Sequence, residues 1–169
     1  MNMCFKIYDQ KAVLADPELT AYILDTIIDN LSYIFGDDMG SEENRNDWIS
    51  HNLKTEDDFW RVIAGSKDDL PQGFIIYTVH DRVLSICDIE INRSHRFSPA
   101  LVLGLFGTLF EHEGDNFDTI TGYINKANHV SQNNFLKYAT SVDEKPRGFS
   151  LMINEAGTQS IKNKFKKKR

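Results

Sequence analysis

The chain is poor in cysteine and has no long apolar run, and each shortage excludes a class of protein. Its 169 residues contain only two cysteines, Cys4 and Cys87. Two isolated cysteines build neither a disulfide framework nor a CxxC metal site, and we expect Cys87 to be a small core residue. No apolar stretch is long enough to span a bilayer, and no signal-peptide pattern opens the sequence. We therefore expect a cytoplasmic protein with no membrane partner.

Several catalytic signatures are also absent. The five histidines show no HExxH or similar ligand spacing, so we predict no metal site. The sequence contains no serine nucleophile elbow, no P-loop and no GxGxxG turn. Chemistry that depends on a bound zinc, an activated serine or a glycine-rich phosphate loop therefore has no sequence support here.

The charge is acidic overall and uneven along the chain. The formal net charge is −6, which argues against a nucleic-acid groove. Basic residues gather at the end, so we predict one domain over residues 1–161 and a basic C-terminal tail over residues 162–169. Such a tail either docks an acidic partner or is a solvated terminus, and the sequence leaves both open.

The first half of the chain predicts a strand, two helices and a three-stranded meander. A strand is expected at residues 4–8. Asp16 and Pro17 are a cap and a first helical residue, and Gly36 ends that helix. Ser41 opens a second helix. Polar turns then separate three apolar strands, at residues 59–64, 74–79 and 83–91, with the first turn at 65–72.

The second half alternates helices with strands. We predict a buried helix at residues 99–112, a strand at 119–126, a short helix at 130–139 and a strand at 146–153, with residues 159–165 as its hairpin partner. A meander followed by crossover units calls for a mixed sheet. The predicted fold class is therefore α/β, a central mixed sheet with helices on both faces.

The turn between the third meander strand and the buried helix is a candidate anion site. Ser98 is a suitable N-cap and Pro99 suits the first helical position. A helix start offers unpaired backbone N–H groups and the positive end of the helix dipole. That arrangement binds anions, although many α/β connections share it.

Two carboxylates stand at alternate positions near the end of the strand before this turn. Alternation places Asp88 and Glu90 on one face, opposite Cys87, Ile89 and Ile91. If the isoleucines face the core, both carboxylates face a cleft or solvent. A catalytic pair and an ordinary solvated sheet face are both open readings.

Two segments resemble the GNAT acyltransferase superfamily. The first is Asp88-Ile89-Glu90-Ile91, the turn with Arg96 and the helix from Ser98; it is similar to the family's acyl-CoA pyrophosphate loop. The second runs from Tyr123 to Ala139. It resembles the family's strand followed by asparagine, a small residue, an aromatic residue and a closing glycine. The matching positions are Asn128, Ser131, Phe135, Lys137 and Ala139.

The resemblance implies acetyl-CoA, or another acyl-CoA, as co-substrate. It implies Glu90 as base and the backbone N–H near Ile91 as donor to the thioester carbonyl. It further implies acyl-CoA contacts along the loop and the later helix, at Ile91, Arg96, Phe97, Ser98, Ala100, Leu101, Asn128, Ser131 and Phe135. Phenylalanine stands where many members carry a tyrosine, so Tyr138, one helical turn on, is the candidate for protonating the departing thiolate.

Two functions follow as hypotheses. The first is an acyl-CoA-dependent N-acyltransferase acting on an amine of a small molecule or a protein. The alternative is a GNAT-fold binding or structural protein that has lost catalysis, for instance one encoded by a phage. Phe97 and Pro99 in place of glycines, and Phe135, favour the alternative; the intact strand, turn and helix favour the enzyme. A homodimer is left open.

Overall fold

The computed structural model of the protein describes residues 3–36, 39–53, 57–93 and 98–166. Helices and strands follow one another along almost the whole of this length. In chain order they are β1 Met3–Asp9, α1 Gln10–Ala15, α2 Pro17–Phe35, α3 Glu42–Asn52, β2 Trp60–Lys67, β3 Leu70–His80, β4 Val83–Ile91, α4 Pro99–Glu113, β5 Thr119–Asn125, α5 His129–Phe135, a 3₁₀ turn Leu136–Tyr138, β6 Ser141–Lys145, β7 Gly148–Ile153 and α6 Glu155–Lys166.

The strands form one seven-stranded sheet in the order β1-β2-β3-β4-β5-β7-β6. The pairs β1–β2, β5–β7 and β6–β7 are antiparallel, whereas β4 and β5 are parallel. Helices lie on both faces of this mixed sheet. The predicted fold class is therefore confirmed.

The chain divides into two compact units, of which the first comprises the described residues up to Ile76 together with Asp88–Phe106. Helix α2 buries one apolar face in this unit because its apolar residues recur at spacings of three and four. Its start is capped by the Asp16 carboxylate, which accepts from Leu19 N at 3.0 Å, and Gly36 ends it at φ 75°. One hydrophobic cluster of this unit contains Val13, Leu19, Ile23, Ile27, Leu53, Trp60, Val62, Phe74 and Ile76.

The second unit comprises Tyr77–Cys87 and the described residues from Gly107 onward. Phe110 packs edge-to-face against Phe165 of α6, with ring centroids 4.9 Å apart. The Lys162 side chain of α6 is buried and donates to the Gly114 and Phe117 carbonyl oxygens at 2.7 and 2.6 Å. Its Nζ also lies 3.8 Å from the centroid of the Phe117 ring. One lysine thus ties α6 to the segment that follows α4.

Both hairpins of the meander turn on two residues with positive φ. These are Asp68 and Asp69, at 52° and 64°, and Asp81 and Arg82, at 48° and 64°. A two-residue turn in which both residues have positive φ has a backbone twist that is compatible with the right-handed twist of the flanking strands. The predicted first turn over residues 65–72 is therefore too long, because β2 continues to Lys67 and β3 begins at Leu70.

Other sequence predictions also need correction. Residues 159–165 are helical, within α6, and not a strand. The predicted start of the basic tail, residue 162, falls inside the same helix. The sequence pattern did not reveal helix α1 or strand β6; every residue of β6 is exposed, so it has no apolar alternation. Cys87 is exposed and is not a core residue.

Candidate functional site

Helix α4 begins as predicted, with Ser98 as its cap and Pro99 as its first residue. The Ser98 hydroxyl accepts from Leu101 N at 3.4 Å, and the Ser98 carbonyl accepts from Leu101 N at 3.2 Å and Val102 N at 3.4 Å. The Leu101 amide is therefore already paired. Its side chain is fully buried, facing Gly65. Ala100 is exposed. The other two predicted loop residues, Arg96 and Phe97, lie outside the described residues.

The end of β4 does not show the alternating burial that the sequence suggests. Asp88, Ile89, Glu90 and Ile91 are all half-buried. Strand β3 approaches this segment closely: a Cβ added to Gly73 would lie 2.7 Å from the Glu90 carbonyl oxygen. Only glycine allows that approach without a shift of the backbone. The candidate base is therefore held in a tightly packed part of the sheet.

Asn30 of helix α2 makes polar contacts with this strand end. Its side chain is 4% exposed. Its Nδ2 donates to the Glu90 carboxylate and, at 3.2 Å, to the Ile91 carbonyl oxygen. One buried amide thus contacts both the candidate base and the residue predicted to bind the thioester.

Further side chains of α2 hold the two residues that follow β4. The Tyr22 hydroxyl donates to Asn92 Oδ1 at 2.9 Å, and burial raises the pKa of Tyr22 to about 12 although its bond with Thr26 acts in the opposite direction. Arg93 donates to the Asp29 carbonyl oxygen at 2.7 Å and pairs with the Asp29 carboxylate at 2.9 Å. The exit of β4 is therefore fixed along the length of one helix.

Asp88 has a different environment from Glu90. Within the described part of the chain, its carboxyl group has no hydrogen-bond or ion-pair partner. Burial raises the pKa of Asp88 to about 6. A carboxyl group with such a pKa changes its charge close to neutral pH, which is a property of many general bases.

The parallel pairing of β4 with β5 is short. It runs from Val83 opposite Thr119 to Ile86 opposite Gly122. The last five residues of β4, Cys87–Ile91, lie beyond the final pair. Both strand carboxylates therefore follow the point at which the parallel ladder ends.

The second unit contains the predicted residues around α5. Asn128 caps this helix, since its Oδ1 accepts from Ser131 N at 3.0 Å. The structure thus brings Asn128 and Ser131 together. Phe135 is half-buried at the end of α5. Tyr138 is 46% exposed in the 3₁₀ turn, with Lys137 Nζ 5.2 Å from its ring centroid.

One face of the β5-β7-β6 ladder carries an open groove of about 440 Å³. Its lining includes Thr121 and Tyr123 of β5, Ser150 and Met152 of β7, and Asp143 of β6. Both polar and apolar side chains line it. The groove can accept a ligand that combines an apolar body with a polar end.

Metal and membrane features are absent from the described ranges. Residues 3–36, 39–53, 57–93 and 98–166 contain no group of three or more His, Cys, Asp or Glu side chains placed to hold a metal ion. Among those same residues, no helix is both long and apolar enough to cross a membrane.

Asn30 is the site residue that the sequence reasoning missed. It occupies a core-facing position of α2, spaced with Ile23, Ile27 and Ile34 at the intervals of an amphipathic helix. A polar amide within such an apolar stripe is unusual, because burying it without a partner costs free energy. The sequence therefore indicates that Asn30 has a buried hydrogen-bond partner, but it does not indicate which residue that partner is.

No protein-family model and no curated protein matches the chain. Solved structures do match. The PaiA N-acetyltransferase of Thermoplasma acidophilum, in complex with coenzyme A, is 12% identical over 91% of this chain and 99% of that chain, with a TM-score of 0.63. An acetyltransferase of Thermus thermophilus is 11% identical over 91% and 97%, with a TM-score of 0.65. One of Streptococcus agalactiae is 12% identical over 90% and 98%, also at 0.65.

These likenesses establish the fold. The chain has the fold of the GNAT N-acetyltransferases, so the resemblance seen in the two sequence segments is confirmed at that level. At identities of 11–12%, the likeness does not carry an acceptor or a catalytic residue to this chain.

Proposed function

We propose that the protein is an acyl-CoA-dependent N-acyltransferase that acts on an amine of a small molecule or a protein in the cytoplasm. The observation that carries this proposal is the position of Glu90: a half-buried carboxylate, bonded to Asn30, just beyond the end of the β4–β5 ladder. The fold shared with the N-acetyltransferases supports the same reading.

The chemistry requires a base and an acid. The acceptor amine must be neutral, so a carboxylate takes a proton from its nitrogen, directly or through one water. The nitrogen then attacks the thioester carbonyl carbon, the C–S bond breaks, and the thiolate takes up a proton. We assign the base to Glu90 and the acid to the phenol of Tyr138. A backbone N–H near Ile91 would stabilise the developing oxyanion.

The residues at the start of α4 fit an acyl-CoA only in part. Pro99 lacks an N–H and the Leu101 amide is paired with Ser98, which leaves the exposed Ala100 as the amide donor of this first turn. Arg96, Phe97 and Ser98 complete the proposed pyrophosphate contacts. Asn128, Ser131 and Phe135 are proposed to contact the rest of the co-substrate, whose thioester supplies the acyl group.

A second candidate is a GNAT-fold protein that binds a partner without transferring an acyl group. Pro99 at the helix start and Phe135 without a hydroxyl favour it. Its basic C-terminal end would then dock an acidic partner. Calorimetric titration with acetyl-CoA and with CoA separates the two candidates, because the binding module gives no heat with either at millimolar concentration.

The Glu90→Gln variant tests the enzyme directly. Glutamine keeps the shape of the side chain but accepts no proton at neutral pH, so we expect kcat to fall about 10²- to 10⁴-fold with acetyl-CoA affinity nearly unchanged. The measurement is thiol release from acetyl-CoA with a panel of primary amines. An unchanged rate would remove Glu90 from the role of base.

A further inference from the structure

The hydrogen bonds of the Asn30 side chain fix the position of the Glu90 side chain. Its amide is almost completely buried, and one nitrogen donates to both the Glu90 carboxylate and the Ile91 carbonyl oxygen. Asn30 and Glu90 are 60 residues apart in the chain, so this bond is a tertiary contact. A glutamate has three side-chain torsions, and an anchored partner removes much of that freedom.

We infer that Asn30 is a positioning residue, which orients the Glu90 carboxylate toward the acceptor amine and fixes the Ile91 peptide beside it. The inference rests on the proposed function. Asn30 is placed to act through Glu90, and no contact of Asn30 with the acceptor amine or the thioester is part of this role. In many enzymes a hydrogen bond from a neighbouring side chain keeps the catalytic base in one orientation. The bond from Asn30 to Glu90 is of this kind.

A neighbouring residue of α2, Thr26, allows the positioning role of Asn30 to be distinguished from a role in packing alone. Thr26 is one helical turn before Asn30, is also buried, and donates to the Tyr22 carbonyl oxygen at 2.8 Å and, more weakly, to Asn92 Oδ1 at 3.4 Å. Among the described residues it makes no hydrogen bond with Glu90. Thr26→Val therefore removes a buried polar group from the same helix face without changing the partner of the base, and it is the matched control.

The experiment compares Asn30→Leu, Asn30→Gln and Thr26→Val by thiol release from acetyl-CoA, with the amine that the wild-type protein acylates fastest. We expect Asn30→Leu to lower kcat about 10- to 100-fold, with KM for acetyl-CoA within about twofold of the wild type. Asn30→Gln keeps a donor and should recover part of the loss. Thr26→Val should retain the wild-type kcat. If Asn30→Leu does not fold, Asn30→Ala removes the donor without adding bulk and should show the same loss.

A double variant gives the decisive readout. If Asn30 acts through Glu90, Asn30→Leu has no further effect on kcat in a Glu90→Gln background, whereas independent effects would multiply. A wild-type protein that acylates no amine sinks the proposed function and this role with it. An active wild-type protein whose kcat survives Asn30→Leu, or whose two losses multiply, overturns the role of Asn30 alone.

Discussion

At the residue scale, the two carboxylates of β4 differ in their hydrogen-bond partners. Glu90 is bonded to a buried amide, whereas Asp88 has no hydrogen-bond or ion-pair partner within the described residues. Ionising a half-buried carboxyl group without a partner costs free energy, and this is why the pKa of Asp88 rises to about 6. A residue that costs stability at neutral pH is a candidate for function.

Asp88 leads to a prediction about stability and pH. Because its pKa is raised on folding, its contribution to stability is full below about pH 4 and is lost as the pH rises through about 6. Asp88→Asn should therefore raise the free energy of unfolding at pH 8 by about 1–2 kcal/mol, a value reduced from the full shift because the side chain is partly exposed. Urea denaturation at pH 4, 6 and 8 measures it.

The difference between Asp88→Asn and the wild type should disappear near pH 4. Asp143→Asn, on the exposed strand β6, is the control and should change stability by less than about 0.5 kcal/mol at every pH. A variant less stable than the wild type at pH 8 would show that the Asp88 carboxylate has a favourable partner.

At the element scale, α6 is where the sequence prediction was wrong. Residues 159–165 were predicted to pair as a hairpin with the strand that precedes them. The structure shows an amphipathic helix in which Thr158 and Lys162 are buried at a spacing of four. A lysine at a core-facing position interrupts the apolar pattern from which an amphipathic helix is predicted. It can be buried only because its tertiary partners accept its hydrogen bonds.

Lys162 leads to a prediction for this helix. Its ammonium group donates to two carbonyl oxygens, of Gly114 and Phe117. Lys162→Met fills similar space but leaves both acceptors without this donor, so we expect the free energy of unfolding to fall by about 2–4 kcal/mol. Urea denaturation measures the change.

Lys164 provides the comparison for Lys162. It lies on the exposed side of the same helix, and Lys164→Met should change stability by less than about 0.5 kcal/mol. Equal effects of the two substitutions would show that Lys162 acts only through the net charge of the basic end. Docking of an acidic partner by residues beyond the helix stays a prediction.

At the scale of the whole molecule, binding of acetyl-CoA should stabilise the fold through mass action. At a free concentration of 100 times Kd, a ligand that binds only the native state adds about 2.7 kcal/mol. For a chain of this length we expect the melting temperature to rise by about 5–10 °C. Differential scanning fluorimetry with acetyl-CoA checks this.

The same shift is expected for Glu90→Gln, because the proposed role of Glu90 concerns the acceptor proton and not the co-substrate. A shift that Glu90→Gln abolishes would place this carboxylate in acyl-CoA binding instead. The absence of any shift in the wild-type protein would contradict acyl-CoA binding altogether.

Local sequence patterns were enough to predict most of the order of elements, the mixed sheet and the start of α4 at Ser98 and Pro99. These features depend on periodicity, caps and turns, which are properties of neighbouring residues. Three others emerged only from the folded chain: α6 is a helix, Cys87 is exposed, and Asn30 holds Glu90. The reason is physical. Whether a polar side chain can be buried depends on a partner that the fold brings from far along the chain, and Asn30 meets Glu90 across 60 residues.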